Sequence, residues 1–90
     1  MEQKSNQDWR LEINPDGFLS GNTFTHEKFV STEANDHEHC AFCFKKITDL
    51  DIQDSDKEGY TTVYSETVET IWVCKECFND FKELLNFKLK

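Results

Sequence analysis

Ninety residues carry ten Lys or Arg against eighteen Asp or Glu, a formal net charge of −8. So short a chain builds a core near the margin of stability unless a cross-link is added. Its acidity argues against a general binder of phosphate backbones, while its 13% aromatic content, with eight Phe, argues against a disordered acidic tail.

In chain order, residues 1–8 are polar and predict a frayed tail, with a single domain over 9–90. Trp9-Arg10-Leu11-Glu12-Ile13 alternates apolar and polar residues as a half-buried strand does. Asn14-Pro15-Asp16-Gly17 carries turn chemistry and Phe18-Leu19 resumes the apolar pattern, so 9–19 is expected to form a β-hairpin. Ser20-Gly21-Asn22 breaks the pattern, and Thr23 to Val30 reads as a further strand. Residues 1–20 hold no apolar run of signal-peptide length, and no stretch is long enough to span a bilayer; a cytoplasmic address is expected.

Residues 31–39 (STEANDHEH) form a polar approach to the first cysteine, and 48–59 (TDLDIQDSDKEG) form an acidic connection. Tyr60 to Val73 is rich in β-branched and aromatic residues, which predicts two strands broken near Ser65-Glu66. From Cys74 to Lys90, Phe78, Phe81 and Leu85 recur at helical spacing, with Leu84 widening the stripe and Lys82, Lys88 and Lys90 near the end where a helix dipole favours cations.

Chemistry concentrates in Cys40-Ala41-Phe42-Cys43 and Cys74-Lys75-Glu76-Cys77. Two residues between cysteines let one tight turn aim both sulfurs at a point, and two such turns complete a tetrahedron. In a reducing compartment this pattern reads as one structural Zn2+ held by Cys40, Cys43, Cys74 and Cys77. Lys45, Lys46 and Lys75 flank the pairs and are candidates to offset the negative charge of a tetrathiolate. A thioredoxin-like redox site would need one pair in a βαβ context. An iron site of the rubredoxin kind shares the spacing, but usually has Pro within the pair and Gly after it, where this chain has Phe44 and Phe78. His37 and His39 are expected to be exposed or to lie behind the ligands.

A knuckle, a hairpin and then a helix whose first turn supplies the last two ligands resembles the treble-clef zinc finger. Cys40, Phe42, Cys43, Trp72, Val73, Cys74, Glu76 and Cys77 resemble the pattern of the zinc-binding domain of the ClpX unfoldase, over residues 40–85. The acidic insert and the strand-rich first third depart from that family, so its chaperone-partner role does not carry over. The strings Asp36-His37-Glu38-His39-Cys40, Trp72-Val73-Cys74 and Cys77-Phe78-Asn79-Asp80-Phe81-Lys82 also resemble small bacterial four-cysteine zinc proteins of uncharacterised role.

Catalytic motifs are not found. A treble-clef nuclease requires histidine on the hairpin and metal-holding residues on the helix, whereas His26, His37 and His39 all precede the first pair and the helix has none. Asp54-Ser55-Asp56-Lys57-Glu58-Gly59 opens like a calcium loop, but the twelfth position is Ser65 rather than a bidentate Glu, so a solvated acidic loop is expected. The expectation is a non-enzymatic α+β domain, an N-terminal β-hairpin region beside a treble-clef-like zinc unit, with Trp9, Phe18, Phe24, Phe42, Trp72, Phe78 and Phe81 around the metal. Its expected role is binding another protein through an acidic or aromatic surface, an immunity or inhibitor protein being one version. The alternative is a nucleic-acid-binding finger using Lys75, Lys82, Lys88 and Lys90.

Overall fold

The computed structural model describes residues 8–15 and 17–90, and within them the chain is a mixed α+β fold of two small sheets and two short helices. In order these are α1 (Trp9–Glu12), β1 (Thr23–Lys28), β2 (Glu38–His39), β3 (Lys46–Ile47), β4 (Ser55–Asp56), β5 (Glu58–Tyr64), β6 (Glu69–Val73), α2 (Lys75–Phe81) and β7 (Lys88–Leu89). The larger sheet runs β6-β5-β1-β7, and the smaller runs β2-β3-β4. No helix among the described residues is long and apolar enough to cross a membrane.

The β-branched run 60–73 pairs as expected. β5 and β6 form an antiparallel hairpin with Tyr60 opposite Val73 and Tyr64 opposite Glu69, and residues 65–68 make the turn. β5 also pairs antiparallel with β1, with Glu27 opposite Gly59. That glycine is required by contact: a Cβ there would stand 2.9 Å from the Val73 carbonyl oxygen. Glycine therefore lets β5 lie against the residue that precedes Cys74.

Two expectations need correction. Residues 9–12 are helical, not the first arm of a hairpin, and 17–21 are turns. Asp8 decides the first point: its side chain accepts a hydrogen bond from the Arg10 amide and caps α1. The helical turn sets Trp9 and Ile13 on one exposed face while Arg10 and Leu11 turn inward. The frayed tail foreseen for 1–8 lies, for residues 1–7, outside the described residues.

The second correction concerns the C-terminus. α2 ends at Phe81, followed by turns over 82–86 and by β7 paired parallel with β1. Asn86 adopts a left-handed backbone (φ 57°), a conformation that Asn tolerates and that terminates helical turns. The chain is thereby turned so that Phe87 enters the core.

That core is largely aromatic. Phe24, Phe42, Phe78, Phe81 and Phe87 are buried with Ile47, Val73 and three of the four cysteines. Tyr60 stacks on Phe78 at 3.9 Å between centroids, and Phe42 meets Phe81 at 5.2 Å. Phe18 and Trp72 are partly buried against this cluster, whereas Trp9 is 52% exposed. The cysteine cluster is thus backed by packed rings on one side and open on the other.

Candidate metal centre

The first pair sits on a tight turn between β2 and β3. The Cys40 amide donates to the Lys45 carbonyl and the Phe44 amide donates to the Cys40 carbonyl, each at 2.9 Å. The Phe42 amide points at Cys40 Sγ from 3.4 Å. Phe42 itself is fully buried, which anchors the turn from inside. Closing this turn places Phe44 in the left-handed region (φ 67°), where a bulky side chain is strained.

The second pair is built by the end of β6 and the start of α2. Cys74 is extended and serves as the N-cap, its sulfur accepting from the Cys77 amide at 3.5 Å. A single side chain is therefore positioned both as cap and as ligand. The Ala41 amide donates to the Trp72 carbonyl at 2.9 Å, fastening the first turn to the strand that carries the second.

Together these elements bring all four sulfurs within 4.8 Å of one another. Cys43 Sγ and Cys74 Sγ stand 3.6 Å apart. A tetrahedral tetrathiolate with metal–sulfur bonds of about 2.3 Å has sulfurs about 3.8 Å apart. Cys40, Cys74 and Cys77 are buried and Cys43 is half-buried, and all four are free of disulfides. The four cysteines are positioned to bind one metal ion.

Electrostatics favour a cation at the centre. Hydrogen bonds from Cys74 and Cys77 pull the Cys40 thiol down to about 2. The same contact with Cys40 pushes Cys74 up to about 12, and Cys40 followed by Cys74 raises Cys77 further still. Without a cation, one thiolate in the group suppresses ionisation of its neighbours, because like charges at this separation repel. A divalent cation removes the conflict and takes every sulfur as a thiolate.

Among the described residues, the basic group that touches a sulfur is Arg10, not one of the flanking lysines. Its Nη1 donates to Cys77 Sγ at 3.4 Å and to Asp80 Oδ2 at 3.0 Å. The guanidinium also grips Asp8 bidentately (2.9 and 2.6 Å) and lies 4.5 Å from the centroid of Phe81. The pairing with Asp8 holds Arg10 protonated and holds the Asp8 carboxyl below the usual range. Lys45 and Lys75 instead reach carboxylates, Asp56 at 3.4 Å and Glu58 at 3.7 Å. Sixty-seven residues separate Arg10 from Cys77, so no local pattern announces the contact.

Among the described residues, no other group of three or more His, Cys, Asp or Glu side chains converges as metal ligands. The 54–59 segment supplies no calcium cage, its Ser55 and Asp56 being taken into β4. His39 is exposed and His37 half-exposed, outside the sulfur cluster. His26 pairs with Glu58 at 2.8 Å on the larger sheet.

On the open side, Asp8, Trp9, Arg10, Cys43 and Glu76 line a shallow depression. At its edge the Trp9 ring meets that of Phe44, the residue after Cys43, with centroids 6.3 Å apart. Phe44 is 58% exposed, more than Trp9, although the aromatic residues expected around the metal do not include it. The signal for it is its position: a non-glycine residue directly after a Cys-x-x-Cys turn. No protein-family model, curated protein or solved structure matches this chain.

Proposed function

We propose that the chain is a cytoplasmic, zinc-stabilised, treble-clef-like domain without catalytic activity, which binds a basic protein through its open aromatic face. Zinc is the ion best suited to four thiolates in a closed site, having neither redox chemistry nor a geometric demand from d-electrons. Thiols kept for metal rather than disulfides favour a reducing compartment.

The observation that carries the interaction reading is the Trp9–Phe44 pair. Phe44 occupies a left-handed position that glycine fills at no steric cost, and its ring is left largely in water. Folding alone does not account for a strained, exposed aromatic residue, whereas aromatic anchors dominate protein interfaces. Glu76 borders the depression, where Asp8 is paired with Arg10, and the chain carries −8 overall. That overall charge is complementary to Lys- and Arg-rich surfaces. An immunity or inhibitor protein covering a basic active site is the specific form of this role.

The test compares native protein with a Trp9→Ala/Phe44→Asn double variant, both zinc-loaded, as baits in cell lysate, followed by reconstitution with the purified candidate. The reading expects a basic protein held by the native chain and released by the variant. A partner indifferent to both aromatic residues would count against it. Steeply salt-dependent retention on generic DNA or RNA, lost on replacing Lys75, Lys82, Lys88 and Lys90, would replace it with a nucleic-acid finger.

A further inference from the structure

The polar loop before the first cysteine ends in a pattern with its own chemistry. Extended backbone alternates its side chains, so Cys40 points into the core while His37 and His39, two residues apart, share the outer side. Their rings lie 4.9 Å apart between centroids, with planes at 87°. Two imidazoles bound through nitrogen to one tetrahedral ion, at about 2.0–2.1 Å each, place their centroids about 5 Å apart.

The surroundings hold that arrangement. Asp36 Oδ1 stands 2.7 Å from His37 Nδ1, and in the tautomer that donates from Nδ1 to this carboxylate, Nε2 carries the free lone pair. A carboxylate behind a histidine is the usual device for orienting a metal-binding imidazole. The loop backbone is fixed by the buried Thr48, whose hydroxyl donates to the Asp36 carbonyl at 2.7 Å. Pairing of β2 with β3 fixes His39 opposite Lys46.

We propose that His37 and His39 form a second, solvent-open metal site for a late first-row divalent cation such as Zn2+, with Asp36 positioning His37. Imidazole nitrogen suits zinc, nickel and copper. Two protein ligands leave the remaining positions to water or to an exogenous donor, so the ion exchanges with solution. Lys46 adds a nearby positive charge that keeps affinity modest and exchange fast. The site is independent of the tetrathiolate centre and of the partner proposed for the aromatic face.

The experiment uses full-length protein without an affinity tag, carrying one zinc in the thiolate site. Zn2+ is titrated by calorimetry while histidine ring resonances are followed by NMR. Native protein takes up a second equivalent that perturbs His37 and His39 but leaves His26 unmoved. His37→Ala and His39→Ala each abolish that equivalent while the first remains, and Asp36→Asn weakens it about tenfold. Because both rings are on the surface, unchanged amide spectra confirm that the variants stay folded. A native chain that stops at one equivalent, or a second equivalent that survives both histidine variants, overturns the site. Uptake indifferent to Asp36→Asn overturns the positioning role of that carboxylate.

Discussion

The two cysteine pairs share one spacing and stand in opposite surroundings. Cys74 and Cys77 are both buried, one capping α2 and the other meeting Arg10. Cys40 is equally buried, but Cys43 is half-exposed, and the residue after it holds a strained aromatic ring in solvent. The same Cys-x-x-Cys spacing is therefore embedded in the core on one side and displayed on the other. The buried pair organises the fold, and the displayed pair presents a surface.

The largest effect that separates them is loss of a ligand. Structural zinc contributes about 10–16 kcal/mol in small metal-folded peptides, comparable to or above the whole stability of an ordinary domain. Native protein in strong chelator is expected to lose its far-UV dichroism signal cooperatively. Cys77→Ser leaves a buried hydroxyl, strips Arg10 of its sulfur partner and stays unfolded even in excess zinc. Cys43→Ser sits at the open edge, where water can complete the coordination, and it folds once zinc is in excess. Equal outcomes for the two variants, read by dichroism and metal content, would erase the asymmetry.

Next in size is the close approach behind the buried pair. Gly59→Ala forces a methyl against the Val73 carbonyl, one residue before Cys74. The expected loss is about 1–3 kcal/mol by denaturant titration of the zinc-loaded protein, with one zinc still bound. A neutral result would mean that β5 and the start of α2 tolerate displacement.

Arg10 follows. Arg10→Gln removes a bidentate contact with Asp8 and the positive charge beside Cys77. Charge-assisted hydrogen bonds of this kind, partly exposed here, amount to about 1–2 kcal/mol. Groups beside ligands typically change metal affinity by about tenfold or more. Competition with a chromogenic chelator reads the second quantity. Arg10→Lys is expected to recover little, because a lysine cannot reproduce the planar grip on Asp8 while reaching the sulfur.

How far the sequence discloses these features follows from how local they are. The four converging cysteines are legible because their spacing and chemistry both lie within four-residue windows, and the hairpin is legible from the β-branched run over 60–73. α1 is not, since four residues are too few to display a helical period and the apolar alternation of Trp9, Leu11 and Ile13 equally describes a strand. What decides for a helix is the Asp8 cap, with the inward turn of Arg10 towards Cys77 far along the chain. β7 is hidden likewise. The stripe of Phe78, Phe81 and Leu85 suggests a continuing helix, but a left-handed Asn86 turns Phe87 into the core and lays Lys88 beside Thr23. Long-range partners, not local preference, settle both ends.

The smallest stability change carries the sharpest functional contrast. A left-handed backbone costs an ordinary residue roughly 1–2 kcal/mol, and Asn bears that conformation more easily because its short polar side chain can hydrogen-bond locally. Phe44→Asn should therefore fold as well as the native chain or better, gaining at most about 1 kcal/mol after loss of the ring contact with Trp9. For a domain this size that corresponds to a melting temperature unchanged or raised by up to about 4–8 °C in zinc-saturated protein. Binding of the basic partner proposed above should nevertheless be lost, because that proposal makes the Phe44 ring its anchor. A melting temperature that falls by several degrees would instead assign Phe44 to the knuckle's own packing, leaving Trp9 alone to mark the open face.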